Sequence, residues 1–166
     1  MKRKAISLLF LFLTNAVFCS DDIGGFWKTI NEQGEAQCII AVYDYDDVYY
    51  GRIIGSFDEK GIMDDSIYNP KKRAPGVVGE PFYSGLDIIW GLVDTGVKFK
   101  GKILDPEKGN VYNSELWIDN GNLVVRGKYL VFGRSQTWLP AANSDFPKGF
   151  KKPNLMELVP SIPEVK

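Results

Sequence analysis

Histidine is absent from all 166 residues of the chain. That excludes Ser/His/Asp and Cys/His nucleophilic pairings, an imidazole base near neutral pH, and His-ligated zinc or haem. Cysteine is almost as scarce, with only Cys19 and Cys38. An excess of positive charge is missing too: 20 Lys and Arg against 21 Asp and Glu leave a net charge of −1, which argues against a nucleic-acid partner. No apolar run approaches the roughly 20 residues of a membrane-spanning helix, so no transmembrane helix is expected. Glycine-rich phosphate loops, nucleophile elbows and zinc or calcium-loop spacings are also lacking, and neither a cofactor nor a metal site is expected. What is there, 45% hydrophobic, 13% aromatic and 25% charged residues, is the profile of one globular domain.

Lys2, Arg3 and Lys4 precede an apolar run from Leu8 to Leu13 and the segment Asn15-Ala16-Val17-Phe18-Cys19-Ser20. A charged start, a short apolar core and small residues at a cleavage point read as a secretory signal peptide over residues 1–19, with export to the periplasm or cell envelope. Lipid anchoring at Cys19 is the alternative, and the bulky Phe18 just before it speaks against it. No Asn-x-Ser/Thr sequon occurs, in keeping with a bacterial envelope. Without Cys19 no internal disulfide can form, so Cys38, flanked by Ile39 and Ile40, reads as a small buried apolar residue.

From Gly24 onward, short β-branched and aromatic runs alternate with Gly, Asn and Asp clusters. The pattern predicts an all-β domain over residues 20–140, with strands near Gly25–Ile30, Ala36–Tyr43, Val48–Gly55, Glu80–Ile89, Val97–Leu104, Val111–Ile118, Leu123–Leu130 and Arg134–Leu139. In the clearest of them Val97, Phe99, Gly101 and Ile103 face the core while Lys98, Lys100 and Lys102 face water. Eight strands with mostly short connections hide their edges by closing into an antiparallel up-and-down barrel, whose interior is either filled by side chains or holds one small ligand.

One connection is long, Ser56 to Gly79, and is the expected lid or recognition surface. Residues 141–166 form a Pro/Lys-rich tail with a short helical segment, Leu155 to Val159, and read as a peripheral appendage that docks on the barrel or engages a partner. Asp64-Asp65 in the loop and Asp105 before Pro106 are the acidic candidates for chemistry, but adjacent carboxylates in extended chain point apart and an Asp opening a turn caps its own backbone.

Gly25-Phe26-Trp27, Gly51-Arg52-Ile53-Ile54, Asp64 with Asn69-Pro70, Gly101 to Pro106 with Gly109 and Tyr112, Arg126-Gly127, and Gly133-Arg134-Ser135-Gln136-Thr137-Trp138 together resemble the bacterial domain-of-unknown-function family 2147. The resemblance spans about Gly24 to Pro140 and implies an exported calycin-like barrel related in shape to lipocalins; it implies no reaction. Barrels of that shape carry a Gly-x-Trp on the first strand with a cation packed across the indole, so the resemblance gives Trp27 that position and Arg134 or Arg126 the guanidinium. Trp27, Asn69, Tyr112, Arg126, Arg134, Gln136 and Trp138 are the candidate ligand-binding residues, and no catalytic residue is expected. The resulting expectation is a noncatalytic envelope barrel that binds a small apolar or amphipathic ligand inside. The alternative is a filled barrel that offers its long loop and tail to an envelope protein.

Overall fold

The computed structural model describes residues 21–129 and 132–166. The expected signal peptide and Cys19 lie outside the described residues, as does Leu130 at the end of one expected strand. Nine strands occur among the described residues: β1 Gly25–Ile30, β2 Ala36–Tyr45, β3 Val48–Phe57, β4 Met63–Ser66, β5 Asp87–Asp94, β6 Phe99–Asp105, β7 Asn110–Asp119, β8 Asn122–Tyr129 and β9 Phe132–Pro140. Eight of them pair antiparallel in sequence order and close through β1 against β9, giving the up-and-down barrel. The ninth, β4, folds back on the far half of β3 and stands outside the ring.

Local chemistry sets the corners. Asp46 and Asp47 both sit at positive φ in the β2–β3 turn, and Asn120-Gly121 does the same between β7 and β8. Two consecutive left-handed residues give the two-residue hairpin whose twist matches the strands. The expected strand Glu80–Ile89 overlaps β5 only at its end. Glu80 and Gly85 have positive φ and interrupt it, while Gly91, also at positive φ, is absorbed in a bulge opposite β6 rather than ending the strand.

The register sorts side chains into two cores. Trp27, Ile40, Val42, Ile53, Phe99, Leu116, Leu123, Val125 and Trp138 belong to one cluster inside the barrel. Ile23, fully buried, closes the end where the chain enters, and its carbonyl accepts the Trp27 indole N–H at 2.9 Å. Ile39, Ala41 and Ile54 point the other way and form a second cluster with Phe57, Met63 and Phe146 on the outer face.

The tail completes that outer core. After a 3₁₀ turn at Asn143–Asp145 it lays Phe146 and Phe150 beside Phe26, then a second 3₁₀ turn at Leu155–Glu157 brings Leu155 and Leu158 onto the same cluster. It then crosses a buried ion pair in which Arg52 donates to both carboxylate oxygens of Asp87 at 3.0 and 2.7 Å, and Tyr43 Oη donates to the same carboxylate at 2.9 Å. Ser161 N–H adds a fourth bond at 2.7 Å, and Arg52 also reaches the Val159 carbonyl. Burial and the facing Asp87 carboxylate push the Tyr43 phenol upward, so it stays a donor. The chain finishes with Val165 bridged to Val77 of the long connection. The tail thus docks along the outer face of the barrel.

The long connection is ordered by one carboxylate. Asp65, fully buried, accepts from Ser84 Oγ and from the backbone N–H groups of Lys71 and Lys72. Residues 73–82 then form a hairpin along the rim opposite Ile23, where Gly76 meets Gly109 of the β6–β7 turn backbone to backbone.

Candidate functional site

Outside the barrel several charges are paired with one another, while Arg126 Nε and Asp64 Oδ1 are buried without a hydrogen-bond partner among the described residues. Lys98, Lys100 and Lys128 converge on Glu115, and Lys98 also lies 4.0 Å from the centroid of the Trp117 ring. The hydrogen bond from Lys128 holds the Glu115 carboxyl below the usual carboxylate range. Arg126 stands opposite Glu115 in register and therefore on this outer face, away from the lumen. Asn69 closes a turn with Ser66 through its backbone, with its side chain exposed, also outside the barrel.

Trp27 sits in the inner cluster near the Ile23 end, yet no cation lies over its ring among the described residues. The expected guanidinium partner fails for geometric reasons: Arg126 faces outward, and Arg134 lies toward the opposite end of β9 from Pro140, the residue that pairs with Trp27.

The inner face changes character away from Trp27. One ladder row runs Gly101, Ser114, Gly127, Arg134 across β6, β7, β8 and β9, all on the face that carries Leu116, Val125 and Trp138. A Cβ on Gly101 would strike the Gly91 bulge, whereas one on Gly127 would have only Ile103 Cγ2, at 3.6 Å, within 4 Å. Ser114 is 2% exposed and its Oγ has no hydrogen-bond partner among the described residues. A buried hydroxyl without a partner costs roughly 1–3 kcal/mol unless something else satisfies it.

Tyr112 follows Ser114 on the same face by strand alternation, and Gln136 and Arg134 follow Trp138 down β9. The Trp138 indole N–H donates to Gln136 Oε1 at 3.1 Å. Gln136 and Arg134 face inward by register and are nevertheless exposed, because β1 pairs with β9 only at Trp27–Pro140 and Lys28–Leu139. Beyond Trp138 this side of β9 has no strand partner among the described residues, so the inner face meets solvent along a seam.

Across the lumen, Cys38 and Thr29 occupy neighbouring strands, with Sγ and Oγ1 3.1 Å apart. Burial pushes the Cys38 thiol up, so it stays protonated and unreactive. The structure therefore gathers Trp138, Gln136, Arg134 and Tyr112 on one side of the lumen with Trp27 deeper in, and leaves Asn69 and Arg126 out. Ser114 and Thr29 were not singled out from sequence. The alternation Tyr112, Ser114, Leu116 along β7 carries the signal for Ser114, once that face is known to be inward.

A cavity of about 560 Å³ lies elsewhere, outside the barrel between Asp22, Tyr49, the β2–β3 turn and Met156. Asp22, Asp44 and Asp46 are solvated there, and none of the buried unpartnered atoms belongs to it. It is a surface trough.

An eight-stranded antiparallel barrel with its chain entry plugged, an apolar inner cluster and a polar stretch at the far end defines the calycin-like class of β-barrel. Residues 25–139 match the family model described as "Uncharacterized protein conserved in bacteria (DUF2147)", and the chain belongs to that family. Among solved structures it is similar to protein HP1028 from the human pathogen Helicobacter pylori, described as belonging to the lipocalin family, with a TM-score of 0.62 and 16% identity over 82% of this chain and 94% of that one. At that identity the likeness speaks to fold. No curated protein matches in sequence. No helix among the described residues is long and apolar enough to cross a membrane.

Proposed function

We propose that this protein is a noncatalytic binder of a small amphipathic molecule, held in the barrel lumen and entering along the seam beside β9. The observation that carries the reading is the buried, unpartnered Ser114 hydroxyl beside Gly127, which has room on its inner side. Above it Val125, Ile103 and Trp138 supply the apolar wall. Burying an apolar ligand surface there is worth roughly 25 cal/mol per Å² before ordering costs, and one or two polar groups suffice to fix its orientation. The opposing picture, a loop and tail displayed to a protein partner, has less support, because both segments are bound to the barrel itself.

The protein works outside the cytoplasm in this reading, after removal of residues 1–19; the support is the charged, apolar and small-residue order of that segment. Native mass spectrometry of the protein purified without denaturant from its own envelope tests both statements. A stoichiometric small molecule, extractable unchanged, and a mass lacking residues 1–19 are expected. A bare mass that does not shift when amphipathic molecules are added overturns the binding reading, and a mass retaining residues 1–19 overturns export by cleavage at Cys19.

A further inference from the structure

We infer that the lumen selects ligands ending in a carboxylate, held by the Arg134 guanidinium with the Gln136 amide and the Ser114 hydroxyl beside it; the inference rests on the lumen-binding reading and names the head group that site takes. Arg134 belongs to the same ladder row as Ser114 and Gly127 and faces inward by register. It has no ion pair among the described residues, whereas Arg52 is spent on Asp87 and Arg73 on the Glu80 carbonyl and the Phe82 ring. The acids at this end of the barrel are engaged elsewhere: Asp105 accepts from the backbone of Glu107 and Lys108, and Glu107 accepts from Tyr83 Oη.

Gln136 adds direction. An indole N–H can only donate, so its bond to Gln136 Oε1 fixes which end of the amide is used and leaves the NH₂ group with two donors to give. Ser114 supplies a third kind of donor, buried and unpaired. The row thus presents a guanidinium, an amide NH₂ and a hydroxyl, and Asp105, the carboxylate that shares the inward register of Ile103 at this end, is taken up by the backbone of its own turn. A set of donors with one positive charge favours an oxyanion over a cation or a neutral alcohol.

Two features point to a carboxylate in particular. On the inner faces of β6 to β9 Arg134 is the one cationic side chain among the described residues, since Lys98, Lys100 and Lys128 bond to an acid on the outside and Lys72, across the lumen, donates to Ser56 Oγ beside Cys38. One planar guanidinium matches one carboxylate in a two-pronged bond and leaves a doubly charged phosphate half neutralised. Geometry permits the grouping: β7 and β9 are separated by one strand, so the Ser114 and Arg134 Cα atoms stand about 10 Å apart, a span that a long side chain and a head group bridge together. The seam then places the head group near solvent at Arg134 and directs an apolar chain inward toward Trp138 and Val125.

The test titrates the whole mature protein with decanoate, decanol and decylamine, each below its micelle concentration, at pH 8, and reads tryptophan fluorescence and calorimetric heat. Decanoate is expected to bind at least tenfold tighter than the other two. Arg134→Gln should bring decanoate down to the level that decanol shows with the same variant, and far-UV circular dichroism checks that the variant is folded. Gln136→Glu keeps the acceptor for Trp138 and adds a negative charge, so it should weaken decanoate at least tenfold and spare decylamine. Equal wild-type affinity for acid and alcohol, or an acid preference that survives both substitutions, overturns the carboxylate inference while leaving lumen binding in place. Failure of all three compounds to bind removes the lumen reading and this inference with it.

Discussion

Single residues decide where backbone approaches backbone in this barrel. Gly76 lies so close to Gly109 that an added Cβ would stand 2.1 Å from the Gly109 nitrogen, which neither segment can yield without moving. Gly127 is the opposite case, with room on the lumen side. Gly76→Ala is therefore expected to lift the rim hairpin and lower stability by about 1–3 kcal/mol, the usual range for overpacking. Gly127→Ala should unfold within about 0.5 kcal/mol of the wild type yet weaken any lumen ligand, because its methyl enters the space beside Ser114. Paired urea titrations of the two variants check this, and equal destabilisation would contradict it. At this scale the sequence was only partly readable. Trp138, Gln136 and Arg134 could be singled out because arginine and glutamine inside a strand run are conspicuous, whereas Ser114 is inconspicuous until its face is known. The cation expected over the Trp27 ring is not found because Arg126 faces outward and Arg134 sits at the far end of β9, a matter of register that residue type does not advertise.

Strands are the next scale, and here alternation was legible wherever one face was wet. In β6 Lys100 and Lys102 point out and Phe99 and Ile103 point in, as the pattern implies, whereas Val97, expected on the core face, precedes the strand and is exposed. Strand β2 defeated the same reading. Ile39, Ile40, Ala41 and Val42 are all apolar, and periodicity cannot assign sides when both are covered. The outer lysine cluster carries a pH prediction. The Glu115 carboxyl is held below its usual value by Lys128, so its contribution is fully present above the ordinary carboxylate range near pH 4 and fades as pH falls through the lowered folded-state value. Glu115→Gln should cost about 1 kcal/mol at pH 7, or about 3 °C in Tm, and the difference from wild type should shrink by pH 3. Thermal melts at the two pH values measure it, and a difference that grows on acidification would refute the assignment.

For the molecule as a whole, the barrel's closure followed from strand count and turn chemistry, while the choice between docking and partner binding for residues 141–166 did not. Only the fold reveals that Phe146, Phe150, Leu155 and Leu158, scattered among polar residues and prolines, complete a core on the outer face of β1, β2 and β3. Ending the chain at Pro140 is expected to expose that face and lower the urea midpoint markedly. Asp87→Ala should reproduce a large part of the loss, about 3 kcal/mol or more, since it strands the largely buried Arg52 guanidinium and removes the acceptor for Ser161. Both variants unfolding at the wild-type midpoint would show the tail to be dispensable after all.

Strand β2 serves two interiors at once, and that has a consequence for how this protein can change. An ordinary barrel strand offers every second position to random substitution. From Ile39 to Val42, β2 offers none, because each side chain is committed to one core or the other. Genetic drift is thereby steered toward the solvent faces of β6 and β7 and toward the seam beside β9. New specificities can accumulate at that opening while β2 holds the architecture fixed.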